Sequence, residues 1–465
     1  MFASGQATPR FAEKEDPELE ALYAQVEKLL EKGNDQCVSW RHDIHKHPEL
    51  PNREFRTAGI VADHLRAIGC DAVRTGVAGT GVVGVLKGRA PTRSGNSKII
   101  CLRADMDALP VKETFDIPYA SKVVDETYPG GPFPVMHACG HDTHVAMLMS
   151  AASVLAAMRD SLHGTVVFLF QPAEEGPPLE EAGGARQMMA EGWHEVDGVS
   201  YEPGMVFGIH VGPTPTGSIG WREGTMFAAS ALLKIDIQGK QVHGSMPWLG
   251  KDPLVVAADV ITQCGQLYRQ MPATSAFTIS IGHVVDQGRF NIIGDSVTLY
   301  GTVRALVNDD MDAIKKKVER LVDGIAKAHD MTGVATFHQS VPAILHTRGW
   351  TQAVLPTLIR AGKGKVEHVE AVMGYDDVSE FINRYGGFYA TLGCQDTEYL
   401  QMDDGRKQLQ PIPGGRGIGV NHHPAFYAND ECLPVGVRIH CHVVLDYLYG
   451  GIDPHRMAKE AIDAA

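Results

Sequence analysis

The stretch His137-Ala138-Cys139-Gly140-His141-Asp142-Thr143-His144 places a thiol and several imidazoles at the start of an apolar run. Thiolate sulfur and imidazole nitrogen are donors that borderline divalent cations accept, and a thiolate can serve two such ions at once. Cys-x-His alone is more often a buried thiol beside a capping histidine, so Cys139 and His141 need company. It comes from Gln171-Pro172-Ala173-Glu174-Glu175-Gly176, from Gly208-Ile209-His210 and from Asn421-His422-His423-Pro424. The two glutamates follow an apolar run, which suits a division of labour: one carboxylate binds metal and the other takes a proton from activated water. Read blandly, the pair is a solvated acidic turn and His210, at the end of its own apolar run, a satisfied core histidine. Asp105 and Asp107 close another apolar run and either orient metal ligands or bind metal directly. Asp142 and His144 read as groups that orient ligands or begin a helix. His42, His45 and His47 are assigned structural roles, as are His440 and His442, which flank Cys441 in what reads as a strand.

These groups need rigid elements to hold them. Apolar spacing and punctuation predict helices over 17–32, 41–49 and 56–68, and strands over 81–86, 98–103, 165–170 and 206–210. Strands alternating with helices imply an α/β region whose chemistry gathers at strand ends. From about residue 228 the texture changes to strands over 231–237 and 297–306 and helices over 253–268 and 310–329, an α+β unit. After about 342 helix and strand segments return. If His422 joins the Cys139 site, the middle unit is an insertion, dividing the chain into 17–227, 228–342 and 343–465. The stretches 176–204 and 395–419 read as long functional loops.

Two domains are expected of 465 residues, and 44% hydrophobic with 21% charged residues describes a soluble globular chain. A net charge of -14 repels phosphate backbones, so nucleic acid is excluded as a partner. The longest apolar helix candidate, 145–158, is too short for a bilayer, so no membrane insertion is expected. Residues 1–16 are polar, lack the basic-then-apolar plan of a leader and read as a disordered lead-in. The chain as given is expected in the cytoplasm, with export open if a leader once preceded it. Its eight cysteines are too scattered for a disulfide framework.

Leu102-Arg103-Ala104-Asp105-Met106-Asp107-Ala108-Leu109-Pro110, His137 to Asp142 and Phe170 to Gly176 resemble motifs of the co-catalytic metallopeptidase-type amidohydrolases. The branch is that of hippurate hydrolase and the plant indole-acetyl-amino acid hydrolases. The likeness begins at Trp40-Arg41-His42-Asp43-Ile44-His45-Lys46-His47-Pro48-Glu49-Leu50 and runs nearly to the C-terminus. It implies an α/β, mixed-sheet catalytic domain of the di-metal exopeptidase type with an inserted α+β lid or dimerisation domain. It also implies a homodimer or homotetramer acting on a small-molecule amide, with two divalent metal ions per chain. Zinc is the first choice for these donors, and manganese, nickel or cobalt also suit them.

Carried over by motif, Cys139 bridges the two metals, His141 and His210 complete one ion's ligands, and Glu175 and His422 the other's. His422 is preferred to His423 because the ligand of the branch usually stands two residues before the proline. Glu174 becomes the general base, and Asp107 is a further catalytic candidate. In Gly239-Lys240-Gln241-Val242-His243-Gly244-Ser245-Met246-Pro247, His243 is similar to a lid histidine that binds substrate and stabilises the oxyanion, reaching even a neighbouring subunit's site. Asn291 and Arg304 resemble lid residues that hold the substrate carboxylate. Two departures bear on the substrate: Gly374-Tyr375-Asp376-Asp377-Val378 replaces the usual Gly-x-Glu-Asp-Phe, and the loops after Gly176 and Gln395 are longer than usual. The implied reaction is hydrolysis of the amide in N-acyl amino acids or similar conjugates. A dipeptidase, a deacetylase, a carbamate or ester hydrolase, and a silent metal-stabilised binding protein are the alternatives.

Overall fold

In the computed structural model, residues 2–3, 16–93 and 98–455 are described. Most of the lead-in therefore lies outside the described residues, although Phe2–Ala3 pairs antiparallel with Lys407 and Gln408. The chain divides into two compact units. The first comprises Met1–Gly224, Leu345–Glu370 and Glu380–Ala465, and the second comprises Thr225–Ile344 and Ala371–Ser379. Ala371–Ser379 thus joins the second unit. There the Ala228 N–H donates to the Gly374 carbonyl at 2.9 Å.

The first unit is built on an eight-stranded mixed sheet in the order Ala72–Val77, Gly81–Lys87, Gly164–Gln171, Lys98–Asp105, Met205–Pro215, Gly387–Gln395, Ile219–Trp221 and Val366–His368. The four strands from Gly164–Gln171 to Gly387–Gln395 run parallel, so their C-terminal ends open on one edge. In Gly164–Gln171 both alternating sets of side chains are buried, which means that both faces of the sheet are covered. Val166, Phe168 and Phe170 share a core with Met147 and Leu148 of the helix His141–Ala157 and with Val443 and Val444 of the helix Leu433–Tyr449.

Two helical expectations change. The predicted helices 17–32 and 41–49 are one helix, Pro17–Lys46, capped by the Asp16 side chain, which accepts the Glu18 N–H at 3.0 Å. Gly33 costs it about 1 kcal/mol of propensity, which the burial of Leu30, Cys37, Arg41 and Ile44 along the same helix offsets. The run holding His440 and His442 is a helix rather than a strand. Buried nearly all round, it shows no 3.6-residue period, and its Val and Ile content mimics a strand.

The two supposed loops also contain structure. Residues 176–204 include the helix Gly184–Ala190 and a small hairpin, Glu195–Val196 with Val199–Ser200. Residues 395–419 include the hairpin Thr397–Gln401 with Lys407–Pro411. Gly and Pro density marks turns and conceals such short elements. Among the described residues no helix is long and apolar enough to cross a membrane.

The second unit is a four-stranded antiparallel sheet in the order Phe277–Asp286, Ser296–Ala305, Ala229–Gln238, Thr332–Val341. Leu233, Ile235, Val297 and Leu299 pack with Val256 and Val260 of the helix Pro253–Cys264 and with Ile314, Val318 and Val322 of the helix Asn308–Ala328. The predicted helix 253–268 stops at Cys264, and a 3-10 turn, Leu267–Gln270, follows.

Candidate metal centre

Three parallel strands, one helix N-terminus and the loop of His422 deliver the donors. The strand Lys98–Asp105 ends in Asp105 with Asp107 just beyond, and Gly164–Gln171 opens into the segment of Glu174 and Glu175. His210 lies inside Met205–Pro215 rather than at its end, because the strand continues for five residues beyond it. The helix His141–Ala157 starts from Gly140, whose φ of 88° belongs to the left-handed region. A Cβ there would lie 2.3 Å from Val211 Cγ2, so Gly140 lets the helix start come down onto the neighbouring strand.

The donors converge in overlapping groups. One ligand atom each from Cys139, His141 and His210 lies within 4.8 Å of the others, and the same holds for Cys139, Glu175 and His422 and for His141, Glu174 and Glu175. Cys139 Sγ is 3.4 Å from His210 Nε2. His422 Nε2 is 3.0 Å from Glu175 Oε1. Glu174 Oε2 and Glu175 Oε1 stand 3.8 and 3.9 Å from His141 Nε2.

Backbone carbonyls set the imidazole tautomers. His141 Nδ1–H donates to the Asp107 carbonyl at 2.8 Å, and His210 Nδ1–H to the Val211 carbonyl at 2.7 Å. Each Nε2 lone pair is therefore directed at the cluster, the arrangement a ligating histidine needs. His144 is different: Nδ1–H donates to Asp105 at 2.6 Å and Nε2 accepts the Val211 N–H at 2.9 Å, so both nitrogens are used within the protein. Asp142 accepts from Arg41 and His45, both at 2.9 Å, and ties the helix start to the long N-terminal helix. Asp107 also accepts the Glu175 N–H at 2.9 Å, so it braces His141 and Glu175 together.

His422 stands at φ 69°, and its N–H donates to the Ala138 carbonyl at 2.8 Å. His423 Nδ1 instead accepts the Ala425 N–H of its own loop at 3.1 Å. Asn421, to which the sequence assigns no role, donates to the Cys139 and Val211 carbonyls, both at 3.2 Å, and ties the late loop to the Cys139 segment. Its only signal in sequence is its place beside the His-His-Pro run.

The electrostatics call for cations. Burial pushes the Cys139 thiol well above its usual range, and Glu175 and Glu174 add to the effect. Burial opposes a charged His141, but Asp105, Asp107 and Glu175 outweigh it and raise the imidazole to about 10. Burial would likewise raise Asp105, yet His141, His144 and Arg103 hold its carboxyl well below the usual range. His141 Nε2 is buried with no hydrogen-bond partner among the described residues. Divalent cations meet both needs, since they take imidazole lone pairs and stabilise a thiolate beside carboxylates. The residues present thus fit a two-metal centre.

His243, Asn291 and Arg304 belong to the second unit. Val242–His243 pairs with Ile292–Ile293, and the Gly244 N–H donates to the Asn291 carbonyl at 2.9 Å, so His243 and Asn291 are neighbours. Arg304 lies on the sheet opposite Ser230 and Thr278, with its guanidinium 4.3 Å from the centre of the Tyr375 ring.

Comparison with known proteins agrees with this chemistry. Residues 101–446 match the family described as peptidase family M20/M25/M40. Thermostable carboxypeptidase 2 of Saccharolobus solfataricus is 33% identical over 91% of this chain and 98% of its own. IAA-amino acid hydrolase ILR1-like 2 of Arabidopsis thaliana is 31% identical over 90% of this chain and 88% of its own. The crystal structure of the Bacillus subtilis YXEP protein, described as a dinuclear metal binding peptidase from the M20 family, superposes with a TM-score of 0.67. It is 27% identical, covering 90% of this chain and 99% of that one. A match across most of the length, joined to clustered thiol, imidazole and carboxylate donors, leads to one conclusion: this chain belongs to peptidase family M20/M25/M40 and is a metal-dependent hydrolase of amide bonds.

Proposed function

We propose that the chain cleaves the amide of N-acyl amino acids or related small conjugates, with Glu174 as general base. One observation carries this reading: Glu175 is tied to two further groups of the cluster. It meets His422 at 3.0 Å and gives its own N–H to Asp107, while both glutamates stand near His141 Nε2, Glu174 at 3.8 Å and Glu175 at 3.9 Å. In this reading Cys139 would help to hold two divalent cations, zinc first among the candidates, with His141 and His210 as the further ligands of one and Glu175 and His422 of the other. When bound, such a pair supplies Lewis acidity to the scissile carbonyl and lowers the pKa of the attacking water.

Glu174 takes the proton of that water and passes it to the leaving nitrogen. Asp107 keeps His141 and Glu175 in register. His243 Nδ1 accepts the Ser245 N–H at 3.1 Å, which leaves the proton on Nε2 to donate to the developing oxyanion. Asn291 and Arg304 hold the substrate carboxylate, which gives the second unit the work of a lid. The named activity of the Arabidopsis relative, hydrolysis of an amino acid conjugate, supports this substrate class.

The test is a panel of N-acyl amino acids run on metal-analysed enzyme beside three variants. Glu174→Gln is expected to keep its metals and lose about 10²- to 10⁴-fold in turnover, the range for a positioned base. Normal turnover there defeats the base assignment. His243→Ala should lose about 10²- to 10³-fold with metal content intact, and an unaffected enzyme returns His243 to the surface. Cys139→Ala should lose metal. A carboxypeptidase reading is favoured by the name of the Saccharolobus relative. Peptides with free C-termini therefore join the panel, and their preferential cleavage decides for it.

A further inference from the structure

We propose that Glu54 is a positioning residue for the general base: its carboxyl holds the Ala173 backbone N–H and so sets where Glu174 stands. Glu54 occupies the N-cap position of the helix Phe55–Ala67 but makes no side-chain cap bond to it. It is 0% exposed, and its acceptors are spent elsewhere. Oε1 accepts the Asn52 N–H at 3.0 Å and the Ala173 N–H at 2.9 Å, while Oε2 accepts the Thr80 hydroxyl at 2.5 Å. Ala173 adopts φ 52°, a left-handed conformation that a residue with a Cβ keeps only when its surroundings hold it there. Immediately after it comes Glu174, and then Glu175, whose N–H is held by Asp107 at 2.9 Å. The proposed base is thus fixed between two buried carboxyl groups, one on either side.

The same short segment also grips the far end of the loop. Asn52 Nδ2 donates to the Ala182 carbonyl and to Glu181, both at 3.0 Å, and Arg53 pairs with Glu181 at 2.7 Å. Residues 52–54 therefore clamp 173–182 at both ends. Burying a carboxyl costs stability, so packing alone would favour an apolar side chain at position 54. Burial, with Asp107 adding to it, pushes Glu54 up to about 8, so a neutral amide can stand in for it.

This inference rests on reading Glu174 as the base, and the experiment separates the two. Glu54→Met keeps the length of the side chain and removes both acceptors, whereas Glu54→Gln keeps an acceptor for Ala173. Full-length, metal-loaded enzymes are compared on the N-acyl amino acid that the unmodified chain cleaves fastest, with kcat, KM and metal per chain measured together. For Glu54→Met, kcat should fall about 10- to 100-fold, the scale for groups that orient an active residue. KM and metal content should change little, amide exchange across 172–176 should quicken, and Glu54→Gln should restore kcat.

An unimpaired kcat in Glu54→Met, or a Glu54→Gln as impaired as Glu54→Met, overturns the proposal. If Glu54→Met does not accumulate folded, Glu54→Asp replaces it, because that carboxylate is one methylene too short to reach Ala173. A kcat equal to that of Glu54→Gln then overturns it. A fully active Glu174→Gln removes the base reading itself. An inactive Glu174→Gln beside an unimpaired Glu54→Met removes only the positioning role.

Discussion

Replacing His442 with leucine should make the protein more resistant to acid, and the structure sets the size of the effect. His442 lies in the helix Leu433–Tyr449, 4% exposed, with its ring centre 4.4 Å from that of Tyr23. Among the described residues neither ring nitrogen has a hydrogen-bond partner. Burial, reinforced by Arg360, Arg438 and Lys363 against Glu27, lowers the imidazole from 6.5 to about 3. Between those values the unfolded chain binds a proton that the folded chain refuses, so stability falls as pH drops through the window.

At pH 5 the unfolded side chain is about 1.5 units below its pKa, which at about 1.36 kcal/mol per unit costs the wild type about 2 kcal/mol relative to pH 8. Leucine is close in size and has neither a proton to bind nor a nitrogen to leave unsatisfied. The variant should match or exceed wild type at pH 8, and its margin should widen by about 2 kcal/mol by pH 5. Urea unfolding of both proteins at each pH, with equal metal supplied, measures this. Protonation of the metal ligands acts on both proteins alike and cancels in the difference. A margin that stays constant with pH refutes the reasoning, because it means that the folded protein accommodates the imidazolium.

Three further outcomes follow from close approaches and buried charge. Gly140→Ala forces a side chain into the left-handed region 2.3 Å from Val211 Cγ2, between two donors. Its metal affinity should drop at least about tenfold in competition with a chelator, and unchanged affinity would contradict the role given to Gly140. Gly436→Ala sets a Cβ 1.9 Å from Met147 Sδ. It should destabilise by about 1–3 kcal/mol in denaturant unfolding, with Met147→Ala in the same chain recovering part of the loss, and independent effects would argue against the clash. Asp105→Asn removes the buried carboxylate that stands 2.6 Å from Arg103 and 2.6 Å from His144 Nδ1. A loss of about 3–5 kcal/mol is expected, and a loss near zero would show that neither group depends on that charge.

Much of the catalytic region could be read from the chain because its signals are local. The apolar runs before Asp105, Glu174 and His210 did become parallel strands, and Gly140 did begin the helix that Cys139 and His141 introduce. What failed lacked a local signal. The helix Leu433–Tyr449 is buried nearly all round and so has no polar face to give it a period. The helix Pro17–Lys46 runs through Gly33 because its packed residues on either side outweigh a weak propensity. The hairpin Thr397–Gln401 with Lys407–Pro411 is concealed by the Gly and Pro around it.

The sequence by itself determined which donors exist, thiol, imidazole and paired carboxylates, and that the carboxylates follow strand ends, because residue type and hydrophobic period are properties of neighbouring residues. It also carried the net charge of -14. Only the tertiary structure decided how each donor is used. His141 and His144 differ by one turn of the same helix, yet His141 gives Nδ1–H to the Asp107 carbonyl and keeps Nε2 for the cluster, while His144 spends both nitrogens on Asp105 and Val211. Asn421 reaches back to Cys139, and Glu54 reaches forward to Ala173. These bonds join residues far apart in the chain, and a hydrogen bond depends on where its partner is in space, which no local pattern of residues records.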